Sequence, residues 1–330
     1  MRRLVPLLLV ALFLAGWAFA DTHLEVRALA RRAAEGDPEA IFTLATLHDR
    51  GFDSIPVDSM RSTELYRESA AAGYLPAMNY LGYRLLSGEV SALGSDASEG
   101  LLWLEKAATA GDVKAASNLG WLLTEGKYVE RDYSKAAFWL GRAASEGLAV
   151  AQSMLGDLYR DGLGVDRDSL KADSLYSMAF ENGLPDAAYK KADLNAGRYD
   201  SLSAEGLLKE GRYYYLRNAP SLGVKLFYKA ADMGNAEAMA LLGDAYTRAI
   251  GVPYDHNLSL LYYTRAALAG NPSAQFVIGE LLDIFPDALD GLDIQGLTDE
   301  QKNPLYWYEK AAEGNVSDAE TATMLLLDVP

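Results

Sequence analysis

Residues 106–111 have the sequence Lys106-Ala107-Ala108-Thr109-Ala110-Gly111, and close variants of this hexapeptide recur along the chain. The clearest copies end at Gly147, Gly234 and Gly270, and looser copies end at Gly36, Gly73, Gly183 and Gly314. Most successive glycines are 36 to 38 residues apart, and two gaps are longer, at 51 and 44 residues. A period of this length is typical of stacked helical repeats. We therefore predict an all-α solenoid.

The helix that follows each glycine carries small and large residues in a fixed order. Counted from that glycine, position +4 is alanine, position +8 is mostly leucine, and position +9 is glycine or alanine. These positions share one helix face. Glycine inside a helix costs about 1 kcal/mol relative to alanine. Its recurrence at position +9 therefore predicts close contact with a neighbouring helix. The glycines at this position are Gly82, Gly120, Gly156, Gly243 and Gly279.

A second helix precedes the glycine that ends each copy of the hexapeptide, which we call the terminal glycine of the repeat. It is expected to begin at a capping residue, to carry a bulky pair near its middle, and to end where the glycine adopts a left-handed conformation. The bulky pairs, such as Trp139-Leu140 and Tyr262-Tyr263, keep a constant phase, which favours core packing between helices over a ligand cage. The expected caps of the second helices are Asp58, Asp96, Asp132, Asp168 and Asn257.

One stretch shows the complete pattern. It runs Leu155-Gly156-Asp157-Leu158-Tyr159-Arg160-Asp161-Gly162-Leu163-Gly164-Val165, is followed by Asp168 and Lys171-Ala172, and resembles the Sel1-like repeat. Residues 238–255 and 307–312 are similar to the same repeat. The resemblance implies relatives of tetratricopeptide repeats: about seven to eight antiparallel helix pairs in a right-handed α/α superhelix. It also implies protein–protein adaptor roles, often in bacterial envelopes.

Two regions depart from the pattern. The 51-residue gap predicts one degenerate unit near residues 184–218, with a bend or break at 195–203. An acidic insertion occupies residues 283–302, before the last helix pair. Its clustered carboxylates are the ligands that a calcium site would use. If Gly291 were the sixth residue of an EF-hand loop, however, Pro286 and Ala288 would stand at two ligand positions, so a solvated acidic loop is the favoured interpretation.

The first twenty residues have the pattern of a cleavable signal peptide. Arg2 and Arg3 precede an apolar run over residues 4–15, and Ala18-Phe19-Ala20 ends it. A membrane anchor is the alternative, but the run is short for a span. The mature solenoid would then be residues 21–330. We expect a periplasmic or secreted bacterial protein that does not insert into the membrane after cleavage. It would have no disulfides, since the chain has no cysteine.

The formal charge of −16 limits the partners. An acidic chain repels phosphate backbones and anionic lipid, so nucleic acid and membrane surfaces are disfavoured. A protein or peptide partner that is basic or neutral fits this charge better.

Motifs for chemistry are missing from the sequence. The three histidines have no metal-binding spacing, and no nucleophile motif is present. Gly162-Leu163-Gly164 resembles half a nucleotide loop but follows a helix, so it is interpreted as the turn of a repeat. We predict no catalytic residues, no cofactor and no metal.

In related superhelices, positions +6, +7 and +10 of the first helices lie towards the groove, so the resemblance implies a partner-binding groove on this side. Asn79-Tyr80 and Ser117-Asn118 hold the first two positions, and Tyr83 and Trp121 hold the third. Asp157 follows them at +10. Aromatic rings and amides can hold a peptide by stacking and by backbone hydrogen bonds. Position +10 is otherwise simply a solvent-facing helix position. The groove hypothesis names Asn79, Tyr83, Asn118, Trp121 and Asp157.

The sequence therefore predicts a non-catalytic adaptor or scaffold of the bacterial cell envelope. Two alternatives stay open. One is a structural subunit of an envelope assembly for polysaccharide export or a motor. The other is a cell-wall hydrolase that uses carboxylates such as Asp157 and Asp193 as acid and base.

Overall fold

A computed structural model describes residues 25–52, 55–87, 97–290, 292, 294 and 297–327. The predicted signal peptide, residues 1–20, and the expected cap Asp96 lie outside these ranges. The described chain is largely α-helical, and consecutive helices pack in pairs. This confirms the predicted architecture of stacked helix pairs. None of the described helices combines the length and the apolar composition that crossing a bilayer requires.

The helices are numbered in chain order, and α1 spans residues 25–34. The first helices of the pairs are α2 Pro38–Arg50, α4 Leu75–Ser87, α6 Val113–Glu125, α8 Ala149–Asp161, α10 Asp186–Leu194, α12 Ala204–Tyr215, α14 Ala236–Arg248 and α16 Pro272–Ile284. Their partners are α3 Ser59–Ala71, α5 Ala97–Thr109, α7 Tyr133–Ser145, α9 Ser169–Glu181, α13 Pro220–Asp232, α15 His256–Leu268 and α17 Pro304–Glu313. The short helix α11, Ala196–Asp200, follows α10 in the chain. Helix α18, Ser317–Leu327, follows the last pair.

The helices divide into two compact units. The unit that ends at Asn182 contains α1 to α9, and the unit that begins at Gly183 contains α10 to α18. The first unit is held by two hydrophobic clusters, one built around Ile41, Tyr66 and Leu81 and the other around Leu119 and Leu140. In the second unit Tyr214, Phe227 and Trp307 are among the largest fully buried side chains.

The glycine positions inside the first helices bring the two helices of a pair together. A Cβ atom on Gly120 would lie 2.6 Å from Cγ of Leu140, and one on Gly156 would lie 2.7 Å from Cε1 of Tyr176. Both distances are too short for an unstrained contact. The close helix approach predicted at position +9 is confirmed, and its partner is the second helix of the same pair.

Helix ends mostly follow the predicted chemistry. The side chains of Asp58, Asp132 and Asp168 accept hydrogen bonds from backbone N–H groups of the first turn. The prediction for α15 was wrong, because Asp255 caps this helix and Asn257 lies in its first turn. The terminal glycines from Gly36 to Gly270 have positive φ angles as predicted.

Three further expectations need correction. Gly314 has a φ angle of −86°, and the next residue, Asn315, adopts the left-handed conformation instead. In the first pair Leu44 is half-buried, and Ile41 supplies the large buried side chain. The ring of Trp139 is also half-buried rather than core, and the Arg142 guanidinium stands 5.4 Å from its centroid.

The degenerate unit is confirmed. Helix α10 has nine residues and α11 has five, whereas five of the other pairs have thirteen residues in each helix. The regular pattern resumes with α12 and α13. Tyr199 of α11 and Tyr214 of α12 are buried, and their hydroxyl groups are 3.2 Å apart. The bend proposed at 195–203 remains a prediction.

The turn between α8 and α9 contains two glycines, Gly162 and Gly164, and its geometry requires both. Both Gly162 and Gly164 have φ of +69°. A Cβ atom on Gly164 would overlap the backbone of Tyr133, at the start of α7 in the preceding pair. The second glycine is therefore required by contact between consecutive repeats, which confirms that this stretch is a turn of the repeat.

Candidate functional site

A pocket of about 390 Å³ is formed by α4 and α6 in the unit that ends at Asn182. Its lining residues are Asn79, Tyr80, Tyr83, Asn118 and Trp121. Four of these are the residues that the groove hypothesis names. The fifth, Tyr80, stands at position +7 of its repeat and is not among the residues that the hypothesis names. All five side chains are half-buried. We call this the α4/α6 pocket.

An amide pair crosses the α4/α6 pocket from one helix pair to the next. The Nδ2 of Asn118 donates a hydrogen bond of 2.9 Å to Oδ1 of Asn79. Each side-chain amide offers two N–H donors and a carbonyl acceptor. This bond does not use the side-chain N–H groups of Asn79 or the side-chain carbonyl oxygen of Asn118. These groups can form hydrogen bonds with the backbone of a bound peptide.

Two aromatic rings stand at the same repeat position on α4 and α6. The ring centroids of Tyr83 and Trp121 are 6.3 Å apart, with an angle of 37° between the planes. Trp121 also packs against the hydrophobic cluster that contains Leu119 and Leu140. The indole is therefore anchored on one side and half-exposed on the other. Such a ring offers large contact area with little conformational freedom to lose.

A polar network holds Tyr80 in place. Its hydroxyl donates a hydrogen bond of 2.8 Å to Oδ2 of Asp49, and Asp49 also forms an ion pair with Arg84. The rings of Tyr80 and Tyr66 lie 4.6 Å apart between centroids. Burial raises the pKa of Tyr80, and the bond to Asp49 raises it further, so Tyr80 stays a neutral donor. The wall that it forms is thereby fixed.

Asp157, the fifth residue of the groove hypothesis, does not line the α4/α6 pocket. Its Oδ1 accepts a hydrogen bond of 2.8 Å from the hydroxyl of Tyr176 and lies 3.3 Å from a guanidinium nitrogen of Arg160. Burial raises the pKa of Tyr176, and this bond adds to the rise. Asp157 thus joins α8 to α9 within one helix pair.

The acidic residues that the sequence raised as candidates for chemistry lie in several parts of the described chain. Asp157 and Asp193, the carboxylates of the hydrolase alternative, belong to different units. No group of three or more His, Asp or Glu side chains there could hold a metal ion. In the acidic insertion, Asp290 pairs with Lys302 at 2.9 Å, and Gly291 lies outside the described residues.

Stacked helix pairs with an aromatic and amide pocket on their first helices define a repeat protein that presents a preformed surface. The chain belongs to the Sel1 repeat family, as a model of the repeat matches it seven times. The matches cover residues 38–74, 75–112, 113–148, 149–184, 207–235, 236–271 and 305–316. Sel1 repeats generally mediate protein–protein interaction and are typically non-catalytic. The gap between the fourth and fifth matches coincides with the degenerate unit.

Two curated relatives share part of the chain. An uncharacterized protein of Neisseria meningitidis serogroup B is 29% identical over 244 residues, which is 69% of this chain and 50% of the relative. Chitin synthase regulatory factor 4 of Schizosaccharomyces pombe is 34% identical over 104 residues, or 31% of this chain and 14% of that protein. The aligned part of this chain therefore spans half or less of the length of these relatives.

Solved structures of similar proteins include two bacterial repeat proteins. The protective antigen c5321 of uropathogenic Escherichia coli, which displays an SLR fold, is 27% identical with a TM-score of 0.48. That match covers 92% of this chain and 59% of the antigen. A Sel1 repeat protein of Oxalobacter formigenes is 25% identical with a TM-score of 0.42, and the match covers 91% and 89% of the two chains.

Proposed function

We propose that this protein is a non-catalytic adaptor of the bacterial cell envelope that binds an extended segment of a partner protein in the α4/α6 pocket. One observation carries the proposal. Two aromatic rings and a bridged pair of amides, contributed by neighbouring repeats, line a single preformed pocket. Family membership supports the general role, and the pocket supports this location for it.

The pocket chemistry suits a peptide segment. Its rings can stack on a side chain or on a flat peptide unit, and its amides can pair with a backbone N–H and C=O. A net hydrogen bond contributes about 0.5–1.5 kcal/mol and an aromatic pair about 0.5–1.5 kcal/mol beyond its buried area. The lining carries no formal charge. It therefore accommodates a neutral segment, and the overall charge of −16 also tolerates a basic one.

Photo-crosslinking can test this site. A benzoylphenylalanine in place of Tyr83 should capture the partner in the producing bacterium, and the crosslinked segment can be identified by mass spectrometry. The affinity of that segment is then measured for the purified protein and for Trp121→Leu and Asn118→Ala. We expect each substitution to raise Kd by about tenfold, which corresponds to about 1.4 kcal/mol.

A matched control uses Leu170→Ala, a change at an exposed apolar residue of α9 in the same unit. It should leave Kd unchanged. If the captured segment binds Trp121→Leu and Asn118→Ala as tightly as it binds the unaltered protein, the α4/α6 pocket is not the site.

Export is the second part of the proposal. The basic start, the apolar run over residues 4–15 and the small residues at Ala18 and Ala20 support cleavage after residue 20. Fractionation of the producing cells, followed by mass spectrometry, should find a chain that begins at Asp21 outside the cytoplasm. A chain that retains residues 1–20 in the cytoplasmic fraction would contradict export.

A further inference from the structure

Helix α16 ends in a different way from most of the other first helices, although α12 also ends in apolar residues, Tyr215 and Leu216. In four of the first helices a charged last residue precedes a residue with positive φ: Arg50-Gly51, Glu125-Gly126, Asp161-Gly162 and Arg248-Ala249. In α16 the same two positions hold Ile284 and Phe285, which are 68% and 60% exposed. Moving a large apolar side chain out of water lowers the free energy. Their exposure here, where those four helices have a charged residue, is typical of a contact surface.

Ile284 and Phe285 belong to a pocket of about 400 Å³ between α15 and α16. Leu260 and Tyr263 of α15 line one side, and Leu281 and Ile284 of α16 line the other. An adjoining pocket of about 590 Å³ shares Leu281, Ile284 and Phe285 and extends to the first residues of the acidic insertion. We call the two together the α15/α16 pocket. The first residues of the acidic insertion, which follows α16, therefore form part of the wall of the α15/α16 pocket.

The walls are largely apolar and the edge is acidic. The polar residues of the wall are Thr247, His256 and Ser259. Glu280 lines the first pocket and Asp287 lines the second. Asp283 lies on α16 between them, and all three carboxylates are exposed. An apolar pocket edged by carboxylates attracts a group that is apolar and positively charged at once.

We propose that the α15/α16 pocket is a second docking site, which takes a peptide segment with a leucine- or phenylalanine-sized side chain beside a lysine or arginine. The apolar side chain enters between Leu260 and Ile284, and the cation meets Glu280 and Asp287. Charge complementarity selects this occupant. A second copy of this chain brings the same charge of −16, and an anionic lipid headgroup is repelled by the same carboxylates.

This site is independent of the proposed function at the α4/α6 pocket, because it uses other repeats and a different chemistry. The α4/α6 pocket has an uncharged lining, whereas the α15/α16 pocket requires a cation. Either proposal can therefore fail while the other holds.

The probe is a set of fluorescein-labelled, capped octapeptides in which a central phenylalanine or leucine is flanked by lysines. Matched sets carry serine in place of the apolar residue or glutamate in place of lysine. Fluorescence anisotropy with the full-length protein should show saturable binding of the first set alone. The double variant Ile284→Ser/Phe285→Ser and the single variant Glu280→Lys should each raise Kd by about tenfold or more. Binding should weaken as salt is added.

Leu216→Ser is the matched control, because Leu216 is an exposed apolar residue of the same unit. It should leave peptide affinity unchanged, and circular dichroism should show that every variant is folded. The proposal is overturned if the serine or glutamate peptides bind equally well, if Leu216→Ser weakens binding as much, or if no peptide binds. It is also overturned if sedimentation shows that the double variant loses self-association while peptides do not bind, since the occupant is then a second copy.

Discussion

Arg84 of α4 forms an ion pair with Asp49 of α2, and their side chains are 6% and 16% exposed. The guanidinium also lies 5.7 Å from the ring centroid of Tyr80, a wall of the α4/α6 pocket. Its Nε has no hydrogen-bond partner among the residues that the structure describes. Asp49 is therefore the group that chiefly compensates a buried cation.

Removing Asp49 should destabilise the protein strongly. A nearly buried charge that loses its partner costs about 3–5 kcal/mol, so we expect Asp49→Ala to lower the free energy of unfolding by about 3 kcal/mol in urea titrations. Asp49→Ala combined with Arg84→Met should recover part of the loss, because no charge is then left unpaired. The exposed pair Arg31–Glu35 serves as the control, and Arg31→Ala should change stability by less than about 0.5 kcal/mol.

The outcome separates two roles of the pair. If Asp49→Ala is as stable as the unaltered protein, water already solvates Arg84, and the network does not fix Tyr80. If the double variant is no more stable than Asp49→Ala, the cost comes from lost packing and not from the orphaned charge.

Two glycines of neighbouring helices should respond in opposite directions. Gly120→Ala places a methyl group 2.6 Å from Cγ of Leu140, and such overpacking typically costs about 1–3 kcal/mol. Gly141 lies inside α7, and a Cβ there meets no atom within 4 Å. Gly141→Ala should therefore stabilise by about 0.5–1 kcal/mol. Thermal unfolding of both variants checks the pair; equal shifts would contradict the assigned helix contact.

Much of the fold could be predicted because the repeat supplies the same physical constraint several times. The alanines at +4 and the glycines at +9 keep their phase, and only close helix packing explains them. The residues at which the helices begin and end are harder to predict from the sequence. Asp255 and Asn257 can both cap, and the length of the preceding turn decides between them. Gly314 and Asn315 likewise both tolerate positive φ.

The lining of the candidate pocket could be predicted in part, and its role in binding stays a prediction. Repeat position placed Asn79, Tyr83, Asn118 and Trp121 on one side of their helices, and the structure brings them into one pocket. Asp157 holds the same repeat position as Tyr83 and Trp121 but does not line this pocket. Its hydrogen bond to Tyr176 depends on a neighbour that repeat position alone does not reveal. The α15/α16 pocket did leave a signal in the sequence, because the apolar Ile284-Phe285 stands where four other first helices have a charged last residue.

Tyr83 and Trp121 should differ in their effect on stability although both line the α4/α6 pocket. Trp121 packs against a hydrophobic cluster, so Trp121→Ala should lower the free energy of unfolding by about 2–4 kcal/mol. Tyr83→Ala should cost less than about 1 kcal/mol. Trp121→Leu keeps apolar contact with the cluster and is the milder test of binding. Urea unfolding of the three variants checks this order, and a larger loss for Tyr83→Ala would place its ring in the core.

Alkaline pH should destabilise the protein through buried tyrosines, and Tyr308 isolates the effect. Tyr308 is 3% exposed, and burial, followed by the charges of Asp283 and Glu280, raises its pKa to about 12. An unfolded tyrosine has a pKa of about 10. Between these values the unfolded chain has lost a proton that the folded chain keeps. The free energy of unfolding therefore falls as pH rises, by up to about 1.4 kcal/mol per pH unit for each such group.

Tyr308→Phe preserves the ring but cannot ionise. Urea titrations between about pH 8 and about pH 11 should show a shallower fall in its stability than in that of the unaltered protein. Below pH 10 the contribution of Tyr308 is complete, so the difference should appear only on the alkaline side. Tyr254→Phe, at an exposed tyrosine of the same unit, should follow the unaltered protein throughout. Parallel pH profiles for Tyr308→Phe and the unaltered protein would mean that Tyr308 ionises as readily in the folded chain as in the unfolded one.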